Sequence, residues 1–253
     1  MADDVVIRHD PFGQKNAIGL PMAKGTVGMR NRQIMRLAAA AAVLASVGGL
    51  ATAAASSASA ATLSARPATA ASWKPEATVP SAVTADGPAL AMFGTRLTAA
   101  WAGPSTHKVF YSFFNGAKWT AQATVPDTGT VASPAIAEFQ GRLYAAWAGR
   151  TTNKLFYAVF NGSKWSSIKT VPTAITADGP ALSVVGTKLY VSWAGPNTDK
   201  VFYESFSGAK WSAQASVPKA STVASPGLAA FQGRLYAAWA GRVTNKLFYS
   251  SAS

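Results

Sequence analysis

Residues 130–157 read TVASPAIAEFQGRLYAAWAGRTTNKLFY, and residues 222–249 read TVASPGLAAFQGRLYAAWAGRVTNKLFY. The two stretches lie 92 residues apart, and half that step is the underlying unit. Trp73, Trp119, Trp165 and Trp211 follow one another at 46 residues, as do Trp101, Trp147, Trp193 and Trp239. All eight tryptophans of the chain thus occupy two repeat positions. Pro88, Pro134, Pro180 and Pro226 keep the same step. TADGPAL at 84–90 and again at 176–182 marks the doubled block. Repetition at this length means stacked supersecondary units, propeller blades or a solenoid.

Each unit reads as four short strands. In the second unit PAIAEF is an apolar run, and GRLYAAWAG follows a turn at Gln140-Gly141. KLFYAVF follows the polar loop RTTN, and KWSSIKTVP follows Asn161-Gly162, a two-residue hairpin signal. Tyr, Phe, Trp, Val and Leu suit a pleated, packed surface. Alternation is weak because both faces carry apolar residues or Ala, as in sheets covered on both sides. Four antiparallel strands per 40–50 residues is the propeller-blade pattern. The fold expected is all-β: a four-bladed β-propeller of 46-residue, four-stranded blades over residues 71–253. The fourth unit stops at LFYSSAS, and ASWKPEATVP at 71–80 is an outer strand with no blade before it. An N-terminal strand pairing with 246–251 would close the last blade within one chain. Closure between two chains would give eight blades in a homodimer.

Residues 1–60 are of another kind. Arg30, Arg32 and Arg36 precede LAAAAAVLASVGGL at 37–50, and Ala58-Ser59-Ala60 follows. A basic stretch, an apolar run and an A-x-A site describe a Sec-type signal peptide on a secreted protein. The run is short and Ala-rich for a membrane span. Residues 61–70 read as an Ala/Ser/Pro linker.

The chain has a net charge of +13 and no cysteine. Zinc fingers, thiolate catalysis and iron–sulfur sites are thereby excluded. Residues 1–60 hold six Lys/Arg and three Asp/Glu, leaving 17 and seven, a net of +10, for the rest. That balance favours anionic partners such as cell-wall polymers or acidic glycans. Nucleic acid would suit the same charge, but no helix-turn-helix, RNP-like or basic-helix signature supports it. Catalytic groups are sparse. His107 is the last histidine, and Asn153, Asp199 and Asn245 stand at its repeat positions. Glycoside hydrolysis wants two carboxylates facing across a cleft. Most acids stand where other units carry neutral residues. The inventory therefore points to no enzyme, no cofactor, no metal site and no catalytic residue.

The pattern of residues 133–165, sPA…f-x-G-r-L-y-a-a-W-a-G…n-k-l-f-Y…f-x-G-x-k-W, resembles the aromatic-rich blades of secreted β-propeller lectins, the fucose-binding and tachylectin-like proteins, with a more distant similarity to sialidase-like propellers. The resemblance covers 71–253. It implies monosaccharide pockets between adjacent blades, built from an aromatic platform with Arg, Glu or Asn. The sialidase aspartate box is absent, its nearest counterpart being NGSKW at 161–165.

Blade geometry puts the loops after the second strand on one rim with the loops that lead into the next blade. That rim carries the ends of the Trp101, Trp147, Trp193 and Trp239 strands, with Asn153 and Asn245. Arg150 and Arg242 lie in the first set of loops, Asp86 and Asp178 in the second. The 92-residue period pairs Arg150 with Asp178 and, in a closed ring, Arg242 with Asp86. These ten residues form the expected ligand site, since a stacking aromatic with fixed polar groups recognises sugar. The function expected is a secreted, lectin-like carbohydrate-binding propeller. The alternatives are a non-catalytic scaffold binding protein or cell-wall polymer and, third, a sialidase-like glycoside hydrolase.

Overall fold

A computed structural model describes residues 72–253. The signal-peptide and linker readings of 1–60 and 61–70 lie outside the described residues. The chain forms four antiparallel sheets in sequence order. The first is β1 (Ala89–Phe93), β2 (Arg96–Ala102), β3 (Val109–Phe114) and β4 (Ala123–Thr124). The second is β5 (Ala135–Phe139), β6 (Arg142–Ala148), β7 (Lys154–Phe160) and β8 (Lys169–Ile175). The third is β9 (Ala181–Val185), β10 (Lys188–Ala194), β11 (Val201–Phe206) and β12 (Ala215–Ser216). The fourth has three strands: β13 (Gly227–Phe231), β14 (Arg234–Ala240) and β15 (Leu247–Ala252).

Turn chemistry sets the registers. Gln140 and Gly141 both take positive φ, 52° and 69°, so Phe139 pairs Arg142 across a two-residue hairpin. Gln232 and Gly233 repeat this at 48° and 73°. In the other two sheets Gly94 and Gly186 take the first turn position alone, with φ of 57° and 55°. Both solutions match the twist of the flanking strands. The Asn161-Gly162 hairpin is a correction. Asn161 to Lys164 form a longer turn, because the Asn161 Oδ1 accepts from the amides of Ser163 and Lys164, each at 2.9 Å. Trp165 then bridges back to Phe160.

The first strands lie side by side in series, β1 against β5, β5 against β9, and β9 against β13, the packing of propeller blades. Each apolar cluster spans two consecutive sheets. Ala100, Val109 and Phe113 of the first meet Leu143, Trp147 and Ala158 of the second. Leu155 and Tyr157 of the second meet Leu189, Val191 and Trp193 of the third. Val201 of the third meets Leu228, Leu235 and Trp239 of the fourth. Small residues in the second strands, Ala99, Ala145 and Ala146 among them, are buried and let the sheets approach.

Closure by the N-terminal strand does not occur. Residues 72–79 form no strand, Trp73 is 93% exposed, and β15 pairs with β14 alone. No contact between β1 and β13 matches the three that join consecutive first strands. The physical reason is that residues 72–79 lack the anchor that holds an outer strand in the second and third sheets. There the outer strand follows a tryptophan wedged onto the preceding sheet, Trp165 on Tyr111 and Trp211 on Tyr157, whereas Trp73 lies in solvent.

A repeated glycine locks each second strand under an aromatic ring. A Cβ on Gly149 would collide with Phe156, and the same holds for Gly195 under Phe202 and Gly241 under Phe248. Gly149→Ala is expected to destabilise the fold by about 1–3 kcal/mol through overpacking. Gly129→Ala, whose Cβ meets Arg150 Cβ at an ordinary 3.8 Å, is the control. Thermal melts of the two variants check this; equal losses would contradict the close approach.

Candidate functional site

Trp101, Trp147, Trp193 and Trp239 are buried in the core. Their indoles pack on the aromatic ring opposite in the third strand, Trp147 on Phe156 at 6.3 Å and Trp239 on Phe248 at 6.3 Å. They offer no face to a ligand, which corrects their assignment as sugar platforms. The reason is that the second strand lies inside its sheet and turns its tryptophan into packed apolar surface, as Trp147, Trp193 and Trp239 show in the clusters shared with the preceding sheet.

The rim loops do come together. The Thr130 amide donates to His107 O, Thr176 to Asn153 O and Thr222 to Asp199 O, all at 2.6–2.7 Å. Asn153 and Asn245 take left-handed backbone, φ 53° and 54°, like His107 and Asp199 at the same repeat position. Asn, Asp and His tolerate that conformation best, so the position is selected by the turn. The Arg150 amide donates to Gly129 O at 3.1 Å, and its side chain lies at the surface. The Arg242 guanidinium pairs with the Asp199 carboxylate. The expected partner, Asp86, presupposed a fourth sheet beside the first. The Asp86 and Asp178 amides each close a short turn onto Thr84 and Thr176 hydroxyls.

The larger cavity opens elsewhere, at the outer end of the junction between second and third sheets. It measures about 300 Å³ and is lined by Arg142, Tyr144, Tyr157, Lys164, Trp165 and Lys169, with Asn161 and Val159 beside them and Phe206 across the junction. Tyr144 and Tyr157 stack at 6.5 Å and 17°. Burial pushes the Tyr144 phenol above its ordinary pKa, with the Arg142 guanidinium opposing. Three cations and no carboxylate line the space. Trp165 reaches it because the Asn161 turn returns the chain onto Phe160, with the indole edge-on to Tyr111 of the first sheet at 5.4 Å. Trp165 belongs to the tryptophan set that sequence reasoning left aside. The signal was its place at the outer edge, after a turn, where one sheet overlaps the next.

The junctions are not equivalent. Phe113 stands at the position of Val159, and the Arg96 guanidinium lies over its ring at 4.2 Å, filling the corresponding space between first and second sheets. Between third and fourth sheets, Ala252 stands at the position of Phe206. A smaller cavity of about 70 Å³ opens there beside Tyr203, Val217, Leu228 and Leu235. Among the described residues no cluster of three His, Cys, Asp or Glu could hold a metal ion. None forms a helix long and apolar enough to cross a membrane.

No protein-family description and no curated protein matches this sequence. Solved structures do. An α-L-arabinofuranosidase of Clostridium thermocellum is 14% identical, with 65% of this chain and 67% of that one covered and a TM-score of 0.44. SapL1 lectin, solved with α-methyl fucoside, is 13% identical over 65% of this chain and 64% of that one, TM-score 0.49. A fucose lectin of Kordia zhangzhouensis is 13% identical over 53% of this chain and 99% of that one, TM-score 0.40. The chain thus spans about two thirds of the length of the first two. The similarity to fucose lectins stands as expected from the repeat. The expectation of no enzyme does not stand: glycoside hydrolases, the arabinofuranosidase and a Bombyx mori β-fructofuranosidase among them, are similar to this chain as well.

One buried group bears on pH. Glu204 on β11 is fully buried, and neither carboxyl oxygen has a partner. Burial raises its pKa from 4.5 to about 7. The folded chain therefore keeps a proton that the unfolded chain releases above pH 4.5, and this group's effect is to lower stability as pH rises from about 4.5 to 7. Glu204→Gln removes that slope and is expected to stabilise the protein by ~1–3 kcal/mol above pH 7. Melting temperatures across the range check it; an unchanged slope in the variant would contradict the buried proton.

Proposed function

We propose that the chain binds carbohydrate in the cavity between its second and third sheets, and that it prefers sugars bearing an acidic group. The observation that carries this reading is the lining itself: Tyr144, Tyr157 and Trp165 supply aromatic surface, and Arg142, Lys164 and Lys169 supply three cations without a carboxylate. A concave site of mixed apolar surface and few fixed polar groups suits a small ligand. Arg142 is suited to a carboxylate by its planar fork, and the two lysines add point charge. The +10 balance of residues 61–253 would draw an acidic glycan or cell-wall polymer towards the surface. The Arg30–Ala60 stretch supports export of the chain to where such polymers lie.

Calorimetric titration with an oligouronate and with a neutral oligosaccharide of equal length tests the proposal. The acidic sugar is expected to bind more tightly, and Arg142→Ala to weaken it by tenfold or more, about 1.4 kcal/mol. Trp165→Phe is expected to lower affinity for both sugars with the fold intact by circular dichroism. Equal affinity for the two sugars would reject the acidic preference. Binding untouched by either variant would reject the cavity. The same sugars, incubated with the protein and analysed for new reducing ends, report on hydrolysis.

A further inference from the structure

The two end faces of the sheet series carry the residues that internal junctions bury. On the fourth sheet Leu247 is 80% exposed, Tyr249 75% and Phe231 59%. Their counterparts two units earlier, Leu155, Tyr157 and Phe139, are buried against the third sheet. On the first sheet Leu90 is 56% exposed and Met92 47%. Leu182 and Val184, their counterparts in the third sheet, pack into the cluster shared with the second. The first two internal junctions also set a tryptophan edge-on to a tyrosine of the preceding sheet: Trp165 on Tyr111, and Trp211 on Tyr157 at 5.5 Å and 72°. Continued by the same step, the ladder calls for a tryptophan on Tyr203 and another on Tyr249. Trp73 and Trp119 stand in that register. Trp73 lies in solvent, and Tyr203 borders the 70 Å³ cavity.

We propose that copies of this chain associate head to tail, the fourth sheet of one copy docking on the first sheet of the next. The contact reuses the pair of faces that meets three times inside each chain, so its shape and apolar character are already matched. Trp119 of the second copy packs on Tyr249, and Trp73 of the second copy fills the cavity at Tyr203. Residues 72–80 of the second copy then run beside β15 as its missing neighbour. The same contact brings Phe114 of the second copy to Arg234, Tyr236 and Tyr249, which stand two units on from Arg142, Tyr144 and Tyr157. A second space with the same arginine and tyrosine pair is thus completed by the partner copy, with Ser72 and Ala77 of the second copy where Lys164 and Lys169 line the first. A heterologous contact of this kind closes into a ring if its rotation allows. Association is measured without ligand, so its failure and that of the carbohydrate reading are separate results.

Sedimentation equilibrium on the full chain tests the proposal. The mass is expected to rise above the 26.1 kDa of one chain with concentration. Leu247→Glu blocks one end and Leu90→Glu the other, and both sites are exposed, so each variant should melt like the parent. Each alone is expected to stay at one chain. Mixed, they are expected to form a 1:1 complex, because each keeps the face the other has lost. Trp73→Ala is expected to weaken self-association of the otherwise unaltered chain tenfold or more without changing circular dichroism. A parent chain that remains monomeric at all concentrations, or a singly blocked variant that still self-associates, would overturn the head-to-tail contact.

Discussion

Every part of this structure depends on sheets that are apolar on both faces. A sheet of this composition cannot stand alone in water. It must be covered on two sides, and the chain supplies the cover by repeating itself. Burial of apolar surface at about 25 cal/mol per Å² makes each junction strongly favourable. The cooperative unit is therefore the pair of neighbouring sheets, and stability follows the number of junctions, as in other repeat architectures. The three clusters of buried residues each draw on two consecutive sheets.

The same constraint places the candidate site. Interior strands are packed too closely to admit a ligand, as the burial of Trp147 and Trp193 shows. Space appears only at the outer overlap, where one sheet's third strand and the next sheet's turn fail to fill the gap. A single side chain decides whether it does. Phe113 with Arg96 over it closes the first junction, whereas Val159 leaves the second open with Arg142 free to line it. Near-identical repeats thus yield unlike junctions through one position per unit.

Much of the fold was legible in the sequence because the 46-residue step fixed strand number, order and turns together. Gln140-Gly141 reads as a turn between strands, and it and its copy at 232–233 form two-residue hairpins. The site was less legible. Both tryptophan sets keep the same period, and period alone does not say which lies inside. Alternation, which normally separates inner from outer faces, is lost when both faces are covered. The rim was right as a meeting place of loops, but its Asn positions answer to backbone conformation. Arg242 pairs with Asp199 instead of the residue that ring closure implied. That error and the expected pairing of 71–80 with β15 share one cause: both assumed that the fourth sheet meets the first within one chain.

Sheets are held by their neighbours, so the fourth, covered on one side only and with three strands where the first has four, is the weakest. Native-state hydrogen exchange on a dilute sample measures this residue by residue. Amides of β6 and β10, covered on both faces, are expected to exchange slowest, and those of β15 orders of magnitude faster. Protection of Leu247–Ala252 equal to that of Lys188–Ala194 in the dilute chain would contradict the account.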